Sequence, residues 1–451
     1  MLPVHTEGYG DEVRCAAAQT VGCAPMSTEG AVTEPTAAAP RSHGAFDDPA
    51  HAAARLLGWG LVALAVAWWH NRWWASPNLE AFSLIARHLG ADPFTGAGES
   101  DYLLSNLALP VLARMTGTTA PHRYAALHLV VLVVGLGVCV GLAQHRHGYR
   151  TARTLLAFVA VSPGVTVVMQ WLGQPDALTF PLAIATVLVR RRVTFVGLAV
   201  LLGLNHPEQA VLIVAVAAVV RVLLGRSERP AASTPARPVW LEGAIELGLG
   251  WAGVLVGRAV TELYLRLADI GTGQVRSDYL SLGREVLVEH HGRAPLALVY
   301  LLWGPMWLVL VAIVVRLVLR RRSGDPAPTA GRDWAVLGGL ALVALLPVAI
   351  TLDETRVYAM LTAPVLAAAA VLSTRELRAV SVPLQRVGAA VLLVFTLVVP
   401  GGFTAGAAAW SHEIPEGEFR HFLVTGEHPG GELFLWLLSP FHFVFPDLDG
   451  A

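Results

Sequence analysis

About eleven apolar runs divide this chain, and arginine gathers in every second gap between them. The runs cover residues 55–74, 124–144, 154–172, 177–190, 193–205, 209–224, 240–265, 295–319, 334–352, 357–373 and 386–403. A bilayer core about 30 Å thick takes roughly 20 helical residues, fewer where a helix stops partway or lines a cavity. Fifty-five per cent of the residues are hydrophobic and only 14% are charged, a surplus of apolar surface that a water-soluble globule of this length could not cover.

All 32 basic residues are arginine. They form five clusters: Arg146, Arg150 and Arg153; Arg190 to Arg192; Arg226, Arg229 and Arg237; Arg320 to Arg322 with Arg332; and Arg375, Arg378 and Arg386. Short cytoplasmic loops collect such residues. The pattern predicts an all-α, polytopic transmembrane helix bundle of about eleven spans in the cell membrane, with a cytoplasmic N-terminus and an extracytoplasmic C-terminus. Residues 1–50 read as a disordered cytoplasmic tail without a cleavable signal peptide, 51–403 as the transmembrane domain, and 404–451 as an extracytoplasmic tail. Within that tail the aromatic segment 431–446 is too short to span and suits the outer interface.

A net charge of −1 and the lack of any zinc-finger or RNP pattern argue against nucleic acid as a partner. Cys15, Cys23 and Cys139 form neither a disulfide framework nor a ligand set. His290 and His291 beside Glu289 lack a helical ligand spacing, so no metal site and no cofactor is assigned.

The gaps without arginine clusters hold most of the carboxylates, amides and histidines, all on the side expected to be external. In the first, the run 80–89 has the apolar spacing of a helix lying along the interface, with Asn78 placed to cap it. Glu80 is there either a general base or a partner of the helix dipole. Asp101 opens a second helical stretch and is either the base or an ordinary helix-start residue. Loop 266–294, with Arg276, Asp278, Tyr279 and Arg284, is placed to cover a site.

Three polar turns follow. Gln174-Pro175-Asp176 separates two spans, and Asp176 caps the next helix or serves a ligand. Asn205-His206-Pro207-Glu208-Gln209 packs hydrogen-bonding side chains between Leu, Val and Ala, either in a cavity or as a wetted turn. The run before it has about twelve residues, roughly 18 Å of helix, so either the membrane thins or this turn lies at the floor of a recess. Asp353-Glu354-Thr355-Arg356 sets an arginine against two carboxylates, either as a phosphate fork steadied by acids or as a local salt bridge.

This layout resembles the GT-C superfamily of multi-pass glycosyltransferases. The resemblance covers roughly 55–403 and rests on Glu80 and Asp101 in the first outward loop and on the turns at 174–176, 205–209 and 353–356. It implies transfer of a hexosyl or pentosyl group from a polyprenyl-phosphate donor to a cell-envelope acceptor outside the cytoplasm, with membrane lipid and the lipid-linked donor as partners. Glu80 or Asp101 would be the base. Arg356 would meet the donor phosphate, with Gln174, Asp176, His206, Glu208, Gln209, Asp353 and Glu354 around the sugar or lipid head. The chain departs from the better-known pattern in lacking adjacent acidic residues in the first loop and a large C-terminal soluble domain. The rival expectation is a transporter or flippase whose polar turns line a pathway.

Overall fold

In a computed structural model, the described residues are 49–71, 78–89, 106–228, 238–269, 295–322, 328–348, 351, 353–377, 380–399, 401, 403–405, 408–410 and 416–427. Residues 1–48 of the expected tail 1–50, Asp101, the loop histidines with their neighbours, and the aromatic segment 431–446 lie outside them, while residues 49 and 50 begin the first helix.

All eleven apolar runs form helices. In chain order the elements are α1 (Pro49–His70), α2 (Asn78–His88), α3 (Ala108–Thr116), α4 (Pro121–His147), α5 (Tyr149–Ala160), α6 (Pro163–Gln170), α7 (Asp176–Leu188), α8 (Arg192–Asn205) and α9 (Pro207–Ser227). They continue with α10 (Val239–Leu267), α11 (Pro295–Trp303), α12 (Met306–Arg322), α13 (Pro328–Val343), α14 (Leu345–Val348), α15 (Glu354–Leu377) and α16 (Val382–Val398). A two-stranded antiparallel ribbon, β1 (Phe403–Ala405) and β2 (Ala408–Trp410), and α17 (Glu416–Thr425) follow. Among the described residues six helices are long and apolar enough to cross a membrane, or seven if the bent pair α5–α6 is one span. The chain is a helical-bundle membrane protein.

Three runs depart from single straight helices. The run 154–172 bends by 47° between α5 and α6, where Ser162 precedes Pro163. The run 295–319 breaks at Gly304, which has φ +51°, before Pro305. The run 334–352 breaks between α13 and α14. Part of the expected tail is folded as well: Phe419 and Phe422 of α17 are fully buried, Phe419 lies edge-on to Trp68 of α1, and the backbone at Gly426 abuts His122 of α4.

Two helices form the interior. α15 is buried from Glu354 to Thr374, and α7 is buried along nearly its whole length, so neither is amphipathic. α8 and α10 approach so closely that a Cβ on Gly257 would meet the Val200 carbonyl oxygen at 2.3 Å, and one on Gly203 the Val254 carbonyl at 2.4 Å. Gly253 and Gly257 thus form a small-xxx-small seam, the means by which helices associate where no hydrophobic effect drives them together.

The loops sort into two sets at opposite ends of α7. Hydrogen bonds and contacts join segments 70–71, 79, 89, 107, 173–176, 205, 264, 353–356 and 401 at the Asp176 end. Arg146, Arg190, Arg192, Arg221 and Glu228 gather at the Leu188 end. This is the alternation that the arginine clusters led us to expect.

Candidate functional site

Arg356 stands in the first turn of α15 and is buried. Its Nε donates to Asp176 Oδ2 at 2.5 Å, one Nη donates to Asp353 Oδ2 at 2.9 Å, and the other to Gln174 Oε1 at 3.3 Å. The guanidinium carbon lies 6.0 Å from the centre of the Trp171 ring, at the edge of cation–π range. One arginine thereby joins the turn 174–176 to the turn 353–356.

Asn205 joins the third turn. Its Nδ2 donates to the Pro175 carbonyl at 2.7 Å and to Thr179 Oγ1 at 2.9 Å. A carbonyl only accepts, so the amide is fixed and Oδ1 is the atom left over. That oxygen, Asp176 Oδ1 and Gln209 Oε1 are buried with no hydrogen-bond partner among the described residues. Left so, each costs about 1–3 kcal/mol, a cost that an ordered water meets as well as a ligand does.

The cluster lies deep. Val200 and Leu204 of α8 pack on Gly257 of α10, and α10 runs on to Leu267, placing the end of α8 about 15 Å below the end of its neighbour at 1.5 Å per residue. Cys139 at the Pro181 carbonyl and Arg146 at the Leu188 carbonyl keep α4 and α7 in step, so by the same rise Asp176 lies about 20 Å below the start of α4. The turn lies below the ends of the helices around it, and the first-loop helices pack down onto it. Gly173 has φ +103°, and a Cβ there would lie 2.8 Å from the Cα of Leu79, so only glycine lets α2 seat on the turn. Leu107, just before α3, donates its N–H to the Leu204 carbonyl at 3.2 Å.

The expected residues are therefore placed as follows. Gln174, Asp176, Asp353 and Arg356 meet directly, and Asn205 brings the turn of His206, Glu208 and Gln209 against them. His206, Gln209 and Glu354 are buried, Glu208 is half-buried, and the Asp353 carboxylate is 34% exposed. Glu80 is exposed, one residue from the seated Leu79. Arg356 makes the local salt bridge to Asp353 that its turn suggested, together with a longer-range bond to Asp176 that the sequence did not indicate. Asn205 is the residue that the structure adds to the expected set. Its position between two leucine-rich helices, where an amide needs a partner, is the signal for it. Among the described residues no group of three or more His, Cys, Asp or Glu is placed to hold a metal ion.

Comparison with family models, curated proteins and solved structures finds no match to this chain.

Proposed function

We propose that the protein is a membrane glycosyltransferase that takes a sugar from a polyprenyl-phosphate donor on the extracytoplasmic side and passes it to a cell-envelope hydroxyl. The observation that supports this reading is the convergence of three polar turns at one end of the bundle, under a first-loop helix that carries an exposed carboxylate. In the proposed step a carboxylate of that loop, Glu80 or Asp101, takes the proton of the acceptor hydroxyl. The acceptor oxygen bonds to the anomeric carbon while the bond from that carbon to the phosphate oxygen breaks, releasing polyprenyl phosphate. Asp176, Asp353 and Arg356 shape the polar floor below.

The test is transfer of labelled sugar from polyprenyl-phosphate pentose or hexose by the purified protein in nanodiscs. Glu80→Gln and Asp101→Asn, made singly and together, are expected to lower the rate at least about 100-fold in the variant that removes the base. Full activity in all three variants overturns the assignment. A transport reading draws on one different observation, the interrupted helices beside the cluster, which are features of alternating-access carriers. It requires a cysteine at position 206 to react from each side of the membrane in turn.

A further inference from the structure

We infer that the break between α11 and α12 forms, together with α16, a lateral seat for one hydrocarbon chain of a bilayer phospholipid. The seat lies apart from the polar turns, and the inference does not depend on the transferase reading.

α11 stops at Trp303 and α12 begins at Met306, with Gly304 at φ +51° and Pro305 between them. Beside that break is a cavity of about 350 Å³, lined by Val299, Tyr300, Gly304, Trp307, Leu308 and Phe395. None of these side chains is charged. The Trp307 indole donates its N–H to the Val299 carbonyl at 2.9 Å, so its one polar group is satisfied and the ring remains as an apolar wall. Tyr300 stands edge-on to Phe395 of α16, with ring centres 6.5 Å apart. Tyr300 and Gly304 also line a second cavity of about 10 Å³ with His70, Thr166 and Gly401, room for about one water. Nothing larger passes inward by that route.

Position decides what enters. Trp307 lies about 20 Å along α12 from Arg320, so in a hydrocarbon core about 30 Å thick the cavity sits below the surface in the half away from the arginine end. Val299 at its rim is 51% exposed, and so, to a similar extent, are Val311, one turn beyond Leu308, and Val391, one turn before Phe395. In a membrane bundle such a face is covered by lipid. A methylene group takes about as much room as a water molecule, about 30 Å³, so the space accepts about a dozen carbons.

Phospholipid and the isoprenoid tail of a lipid-linked donor both offer hydrocarbon. The lining holds no charge that would retain a scarce phosphate-bearing guest, so occupancy follows abundance, and phospholipid is the solvent. An empty cavity leaves its lining atoms without dispersion partners. Lipid tails are as apolar as the walls, so filling it recovers packing alone, and the expected preference over the rest of the perimeter is about fivefold.

The test uses phospholipid carrying a diazirine in one acyl chain, at low fraction in nanodiscs with the full-length protein, read after photolysis by peptide mass spectrometry. The yield at Tyr300, Trp307, Leu308 and Phe395 is expected to be about five times that at Val311 and Val391, and to level off with probe fraction while the valines keep rising. Leu308→Trp, which fills the space, is expected to cut the yield at Tyr300 and Phe395 about fivefold and leave Val391 as it was. Val299→Trp at the rim supplies the same measurement if the first variant does not fold. A diazirine polyprenyl phosphate at equal fraction is expected to label these residues no better than phospholipid does. Equal yields at cavity and perimeter, as for ordinary boundary lipid, no label in the cavity, or yields unmoved by the filling substitution each overturn the inference. So does a polyprenyl probe that labels about fivefold better, which would give the seat to the donor's tail instead.

Discussion

The two ends of α7 are made from the same materials and finished differently. At the Leu188 end, where the last carbonyls of a helix have no partner within it, Arg221 donates to the carbonyls of Thr186 and Val189 and Arg146 to those of Val187 and Leu188. Arg221 is held in turn by Glu246 at 2.8 Å and lies 4.5 Å over the Phe195 ring. Positive charge there also suits the helix dipole. At the Asp176 end one arginine meets two carboxylates and an amide, and three acceptor oxygens remain. Both ends bury an arginine, but at the helix C-terminus it is spent on backbone carbonyls and at the N-terminus on side-chain acceptors. Buried side-chain atoms without a hydrogen-bond partner among the described residues occur at both ends, Arg146 Nε and Glu228 Oε1 at one and Asp176 Oδ1 and Asn205 Oδ1 at the other, so what separates the ends is what each arginine is spent on.

The contrast is sharpest at Arg221. Arg221→Ala strips donors from three carbonyls and leaves Glu246 with Arg192 alone, so it is expected to cost about 3–5 kcal/mol, read as a lower unfolding temperature in nanodiscs. Sugar binding measured on the protein that still folds should be unchanged.

Asp176→Asn should invert that pattern. It removes the charge facing Arg356 but keeps an oxygen, at about 1–3 kcal/mol of stability, while glycoside binding falls at least about tenfold. A stability loss as large as that of Arg221→Ala with binding intact would erase the distinction between the ends. The double variant is expected to be additive within about 0.5 kcal/mol, since Asp176 opens the 13-residue α7 whereas Arg221, on α9, bonds the carbonyls at its far end, and the two share no partner.

Gly173→Ala tests the cover. A methyl group against Leu79, on a backbone with φ +103°, should cost about 1–2 kcal/mol and unseat α2, making a cysteine at position 79 faster to alkylate. An alkylation rate equal to that of the parent would mean that α2 does not rest on this turn. Glu228→Gln, at the rim of the Leu188 end with a carboxylate 24% exposed, should change stability by less than about 1 kcal/mol and binding not at all.

Much of this architecture could be read from the chain itself. The apolar runs became helices, and the arginine gaps gathered at one end because loop charge follows topology. The three polar turns met because each interrupts an apolar run on the same side. The helix breaks and the seam of Gly253 and Gly257 were less legible, since what a glycine does depends on the helix laid against it. Arg221 and Glu246 carry a signal in the sequence itself, because each is a charge inside an apolar run and so requires a partner. Which partner, 25 residues away, only packing decides. The commitment of Arg356 to Asp176, across 180 residues, was hidden in the same way, whereas its bond to Asp353 was visible as a neighbour three residues off.

The burial of α15 has a consequence for how the protein meets membranes of different thickness. α1 and α16 expose most of their surface, so a thicker or thinner bilayer acts on them first, through tilt and local deformation. α15 touches other helices along its length and registers such a mismatch only at second hand. Arg356 rides on that sheltered helix, so its geometry should hold across lipid compositions that visibly reorient the outer helices.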